Sequence, residues 1–146
     1  MKSSKQEIII NHDSKDLYNI VIDVEKYPDF IPWCDKIIIT SKSKNNILAD
    51  MKVKYYLFST QTFTSKVCFD SKKLLINTNY IKGPLNDLKT KWKFISLEKH
   101  KTKVQFTIAF EFDKIFHQKL AEVFFKLIEK KMISSFKARA DQILNY

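Results

Sequence analysis

The sequence predicts one α+β domain in which a curved, antiparallel seven-stranded sheet wraps a long C-terminal helix, with two short helical pieces after the first strand. Three observations predict it. Between residues 34 and 112 the apolar residues recur with a period of two, the repeat of a strand with one wet and one greasy face. Residues 115–144 contain neither Pro nor Gly, and one helix covers them in about 45 Å. The chain's 146 residues, 45% hydrophobic and 14% aromatic, suffice for a single packed core over residues 1–146 and exclude global disorder.

The elements follow in order. Residues 5–11 carry three consecutive isoleucines and suit a first strand. Asp13 or Ser14 is placed to cap a helix with Asp16 in its first turn, and Leu17, Ile20, Val21 and Val24 share one face of a helix over 14–24. Tyr27-Pro28-Asp29-Phe30-Ile31-Pro32-Trp33 is either a short helix with Pro28 in its first turn or a compact aromatic corner. Strands are expected near 35–43, 47–56, 59–70, 73–81, 87–97 and 102–112, with turns at 41–46, 70–72 and 98–101. In the last strand Val104, Phe106, Ile108, Phe110 and Phe112 point one way and Lys103, Gln105, Thr107 and Glu111 the other. Its neighbour opposes Leu88, Trp92 and Phe94 to Lys89, Lys91 and Lys93. The terminal helix carries two apolar stripes. Phe116, Leu120, Val123, Phe124, Leu127, Ser134 and Ala138 are expected to cover the sheet, and Phe125, Met132, Phe136 and Ile143 to pack against an N-terminal element, a partner or a lipid surface. Local hairpins imply a meander, and between its concave face and the helix there is room for an elongated apolar cavity.

Composition removes several function classes. A single glycine, Gly83, leaves no phosphate-cradling Gly-rich loop. The longest apolar run, Tyr55-Tyr56-Leu57-Phe58, is far short of a membrane span, and the N-terminal residues lack a signal core, so a cytoplasmic protein is expected. Cys34 and Cys68 form no C-x-x-C, and His12, His100 and His117 have no ligand spacing, so neither a disulfide, a metal nor a cofactor is expected. Acids and bases are scattered, and no catalytic residues are assigned. The net charge of +10 comes from 25 lysines and one arginine, Arg139. Such a field favours anionic lipid surfaces or RNA, while the scarcity of the arginine fork argues against a DNA partner. Solvated lysines on an AT-rich genome are the plainer account of the same charge.

Three segments carry a resemblance. Tyr27-Pro28-Asp29-Phe30-Ile31-Pro32-Trp33-Cys34 resembles the Y-P-x-F-x-P-W-C signature of the START-like family of coenzyme Q-binding proteins and ribosome-association toxins. Gly83-Pro84-Leu85-Asn86-Asp87-Leu88 with Trp92-Lys93-Phe94 looks like that family's G-P-F-x-x-L and W-x-F segments, with Leu85 in place of Phe. Met132-Ile133-Ser134-Ser135-Phe136-Lys137-Ala138-Arg139-Ala140 looks like its closing M-x-x-A-F-x-x-R-A helix, with Ser135 in place of Ala. The resemblance implies a helix-grip (START-like) fold with a tunnel for a hydrophobic ligand.

On that reading the ligand meets Tyr27, Phe30, Ile31 and Trp33 at the mouth, and Phe63, Tyr80, Leu85, Trp92, Phe94, Phe106 and Phe110 on the strands. Leu120, Phe124 and Leu127 complete the lining from the helix. Alternatively, the same rings simply fill a dry core. Pro28, Pro32, Cys34, Gly83, Pro84 and Arg139 are read as structural. Cys34 is a small buried residue, Gly83 a turn glycine, and Arg139 an ion-pair partner for Asp23 or Glu25 or a holder of an anionic headgroup. The expected function is non-enzymatic: a carrier of ubiquinone or a related polyprenyl lipid in support of respiration, touching an anionic membrane face. A rival reading is a regulator that binds the large ribosomal subunit and blocks subunit joining. A polyketide cyclase-like enzyme is a third.

Overall fold

The computed structural model describes residues 2–54, 60–112 and 118–144; for residues 112 and 118–121 the description is of the backbone alone. The expected apolar run at 55–58, the adjoining strand ends and the first residues of the expected terminal helix, with Phe116, lie outside the described residues.

Seven strands form one antiparallel sheet: β1 (Lys2–Ile10), β2 (Cys34–Lys42), β3 (Asn46–Val53), β4 (Gln61–Asp70), β5 (Leu75–Lys82), β6 (Leu85–Glu98) and β7 (Lys101–Phe112). Their order is β1-β7-β6-β5-β4-β3-β2, so β2 to β7 are a meander and β1 adds to its far edge. The period-two reading of the sequence holds in register. Trp92 lies opposite Phe106 and Phe94 opposite Val104 on the concave face, while Lys91 lies opposite Thr107 and Lys93 opposite Gln105 on the other.

Helix α1 (Ser14–Ile22) buries Leu17, Tyr18 and Val21. Asp13 stands at its N-cap but makes no side-chain cap bond. Its carboxylate accepts the backbone N–H of His100 at 2.7 Å, bracing the β6–β7 turn, where His100 is left-handed at φ 59°. A 3-10 helix (Val24–Asp29) follows and holds Pro28 near its end rather than in its first turn. The Asp70 carboxylate accepts the N–H groups of Lys72 and Lys73 at 3.0 and 3.1 Å and so closes the β4–β5 turn.

Helix α2 (Gln118–Ile143) corrects in part the expected roles of its two stripes. Phe125 and Phe136 of the second stripe are buried, with Ile128, Ile133 and Ala140 beside them, and Phe136 meets Tyr27 and Phe30 of the N-terminal corner, one of the covers expected for it, while Ile143 stays exposed. Val123, Ser134 and Ala138 are exposed, while Phe124 and Leu127 pack at the margin of the core. A summed stripe could not reveal this, because Phe and Leu on either face serve equally well in a helical repeat. The C-terminal end of α2 is pinned where β1 leaves the sheet. His12 Nε2 lies 2.8 Å from Asp141 Oδ1, and Thr102 Oγ1 donates to the His12 carbonyl at 2.7 Å. Hydrogen bonds from Lys137 and His12 hold the Asp141 carboxyl below its ordinary range.

Gly83 joins β5 to β6 at φ +151°, a region that side chains disfavour. A Cβ there would sit 2.7 Å from Tyr80 Oη and 2.9 Å from the Thr62 carbonyl. The same Tyr80 Oη accepts the Leu85 N–H at 2.9 Å, so the glycine makes room for the hydroxyl that braces the turn. Gly83→Ala is therefore expected to lower stability by about 1–3 kcal/mol. Urea unfolding checks this, and an unchanged midpoint would contradict it.

Candidate functional site

An internal cavity of about 120 Å³ lies between the concave face of the sheet and α2. Its walls follow from strand alternation. Ala49, Met51 and Val53 of β3 face it beside Phe63, Ser65 and Val67 of β4, then Ile76 and Thr78 of β5, Leu88, Thr90 and Trp92 of β6, and Ile108 of β7. Phe124, Ile128, Met132 and Phe136 close it from α2, and Val21, Val24, Tyr27 and Trp33 from the segment between α1 and β2. An engineered apolar cavity of about 150 Å³ takes up benzene. The cavity is thus of single-ring size, shorter than the elongated space expected from the sequence.

The helix decides where this space lies. It packs on β1, β7 and α1. Phe110 meets Phe125 there with ring centroids 5.0 Å apart, and Phe106 lies under Trp92 at 4.5 Å. Both rings are spent on packing. Phe94 packs edge-on to Tyr18 at 6.1 Å, beneath α1. Over β4 and β6 the described rings that meet the sheet, Phe124 at 5.9 Å from Phe63 and Phe136 at 5.0 Å from Trp92, border the cavity rather than fill it.

Of the residues the sequence nominated, Tyr27, Trp33, Phe63, Trp92 and Phe124 border the cavity together. Phe94, Phe106 and Phe110 share the concave face but are absent from the described lining. Ile31 and Leu85 are buried elsewhere, and Tyr80 stands behind Phe63 with centroids 6.2 Å apart. Leu127 packs beside the core, and the Leu120 side chain lies outside the described residues. The sequence reading passed over Ser65, Val67, Thr78, Thr90 and Ile108, since on β4, β5 and β7 it nominated aromatic rings only. Alternation from Phe63, Ile76 and Trp92 already puts them on the same face. It also passed over Met132 and Phe136, which belong to the second stripe.

The Tyr27–Cys34 segment splits by function. Tyr27, Phe30 and Phe136 form an edge-to-face triangle with centroids 5.1–5.9 Å apart, and Trp92 meets Phe136 at 5.0 Å. The Tyr27 hydroxyl donates to the Val21 carbonyl, and burial, with Cys34 and Asp23 nearby, raises its pKa. Phe30 faces outward. The Arg139 guanidinium lies 5.2 Å from its ring centroid, and no ion pair from Arg139 to Asp23 or Glu25 is seen among the described residues. Phe30, Pro32 and Arg139 instead border a surface groove with Lys131, Ser134, Ser135 and Gln142. Pro84 is half-buried beside Gly83. Cys34 is buried, and burial with Asp35 pushes its thiol up to about 12.

The described lining holds no carboxyl, imidazole, amine or thiol. It can bind by apolar contact and through three strand hydroxyls, and its one titratable group, the Tyr27 phenol, is committed to the Val21 carbonyl and has its pKa raised by burial.

Comparisons with known proteins agree with this architecture. Residues 10–137 match the family described as polyketide cyclase / dehydrase and lipid transport. The ribosome association toxin RatA of Rickettsia prowazekii is 29% identical over 147 residues, covering 99% of each chain. The mitochondrial coenzyme Q-binding protein COQ10 homolog B of Xenopus laevis is 27% identical over 92% of this chain, which spans 56% of that relative's length. The Zhui aromatase/cyclase from Streptomyces sp. R1128 superposes with a TM-score of 0.86 over 99% of this chain and 96% of its own, at 14% identity, and so shares the fold.

The buried Cys34 gives a check on the closed corner. In a Cys68→Ser variant at pH 8, the native thiol is expected to react with a disulfide reagent on the order of a hundredfold more slowly than the unfolded chain, because so little of it is thiolate. Equal rates would show that the corner is open.

Proposed function

The chain belongs to the polyketide cyclase / dehydrase and lipid transport family, and we propose that within it this protein is a non-catalytic carrier of a neutral hydrophobic ligand, a prenylated quinone such as ubiquinone being the best fit. One observation carries the reading: a ring-sized cavity with an almost wholly apolar wall, formed by Trp33, Phe63, Trp92 and Phe124 among others, whose described lining has one titratable group, the Tyr27 phenol, held on the Val21 carbonyl. Apolar area buried there contributes about 25 cal/mol per Å². The kinship with a relative named for coenzyme Q binding supports the choice of ligand. Among the described residues no helix is long and apolar enough to cross a membrane. Delivery would therefore proceed by contact with an anionic membrane face through the lysine-rich exterior.

Extraction of the purified protein from a quinone-producing host, followed by mass spectrometry, tests this. Prenyl quinone is expected above the level of a control protein, and Ala49→Phe, which adds a ring to a space of ring size, is expected to abolish it while keeping a cooperative melt. No prenyl lipid above control would overturn the carrier reading.

A second reading has its own observation. Lys66 on β4, Lys89, Lys91 and Lys93 on β6, and Lys5 on β1 are exposed on the convex face. Register links four of them in two rows: Asn79 stands between Lys66 and Lys89, and Thr107 between Lys91 and Lys5, while the row of Lys93 runs through Gln105 to Glu7. Such a face suits a polyanion such as ribosomal RNA and lies on the opposite side of the sheet from the cavity. A role on the large ribosomal subunit, blocking subunit joining, would use this face, in keeping with the relatives named as ribosome association toxins. Lys91→Glu with Lys93→Glu is expected to reduce co-sedimentation with ribosomes at ~0.15 M salt at least about tenfold without altering ligand content. Unchanged pelleting would remove this face from the reading.

A further inference from the structure

We propose that the ligand enters ring first, and that Thr78 and Thr90, with Ser65 beside them, form a subsite that hydrogen-bonds acceptor oxygens on that ring. This rests on the carrier reading above and adds the orientation and chemical class of the bound group.

Placement comes first. Thr78 of β5 and Thr90 of β6 stand directly opposite each other in the ladder, and both line the cavity. Directly opposed strand residues have Cβ atoms about 5 Å apart. Ser65 of β4 faces the same space, one inward position along from Val67, which lies opposite Thr78. The three hydroxyls thus sit together on the cavity floor, across three adjacent strands.

These hydroxyls are also unengaged. None of the three makes a hydrogen bond to another described residue, although neighbouring strand threonines do so wherever they meet a partner. Thr64 Oγ1 donates to Asp50 Oδ1 at 2.6 Å, and Thr102 Oγ1 donates to the His12 carbonyl at 2.7 Å. The fourth hydroxyl of the described lining, on Tyr27, is committed to the Val21 carbonyl. The three side chains are half-buried, and a hydroxyl that gives up water when a ligand enters needs a partner, which a ligand oxygen supplies.

Size and charge then select the ligand group. The space of about 120 Å³ accepts one ring or one isoprene unit and not a whole prenylated quinone, so the rest of the ligand must lead outward, and the hydroxyls favour the ring end. With no charged side chain in the described lining, an anionic or cationic headgroup would find no compensation. Hydroxyls can donate, and a neutral ring bearing carbonyl or ether oxygens needs donors. A quinone ring meets all three conditions; an unfunctionalised hydrocarbon meets only the first two.

The test compares two probes, a para-benzoquinone bearing one prenyl unit and prenylbenzene, which has the same tail and no oxygen. Quenching of Trp33 and Trp92, both in the cavity wall, reads quinone binding, and calorimetry reads prenylbenzene. Thr78→Val and Thr90→Val keep side-chain shape and strand preference while removing the hydroxyl. Each is expected to weaken the quinone about 3- to 10-fold, with the double variant weaker still, and to leave prenylbenzene unchanged or tighter. Thr78→Ser, which keeps the hydroxyl, is expected to bind the quinone within about twofold of the parent protein. If both probes shift together, if neither shifts, or if the parent binds prenylbenzene as tightly as the quinone, the ring-first subsite is wrong while the carrier reading stands. If the parent binds neither probe, both fall.

Discussion

A single helix cannot cover seven strands. A helix is about 10–12 Å across with its side chains, and seven hydrogen-bonded strands span about 29 Å. The sheet must therefore curl around the helix, and wherever the helix does not reach, other side chains have to fill the gap. Here the helix lies against β1, β7 and α1, which meet Phe125, Ile133 and Phe136 closely. Over β3 to β6 the described side chains, Phe124, Ile128, Met132 and Phe136 of the helix among them, border a ring-sized space that stays open. Both the core and the cavity follow from this mismatch of widths.

Local devices hold the helix at that margin. The His12–Asp141 contact fixes its C-terminal end, and the Thr102 hydroxyl fixes the backbone of His12 in turn. The aromatic triangle of Tyr27, Phe30 and Phe136 ties the corner before β2 to the middle of the same helix. Two segments about a hundred residues apart thus behave as one structural unit, because edge-to-face rings lock orientation as well as bury area. Proline on either side of Ile31 limits the freedom that this corner would otherwise lose on folding.

The two faces of the sheet divide the chemistry. Concave positions carry apolar groups and three unengaged hydroxyls; convex positions carry lysines. Strand alternation enforces the separation, since a residue cannot serve both faces. Ligand contact and polyanion contact can accordingly vary independently.

The amino-acid sequence by itself determined the elements and the faces of the strands, because alternation in runs such as Val104–Phe112 is a local property that folding preserves. It also marked Gly83 as a turn residue, since only one glycine was present to take that backbone. Tertiary structure decided the rest. Whether Phe63 borders a cavity while Phe106 and Phe110 pack solidly depends on where the helix lies across the sheet. Which stripe of α2 faces inward depends on the helix's rotation, and both stripes are apolar enough to serve. Arg139 lies 5.2 Å from the Phe30 ring centroid because the folded corner brings that ring beside it, and no ion pair to Asp23 or Glu25 is seen among the described residues. These outcomes come from long-range packing, which no local pattern encodes, and so the cavity and part of its wall could be anticipated, but not which of the inward rings would border it.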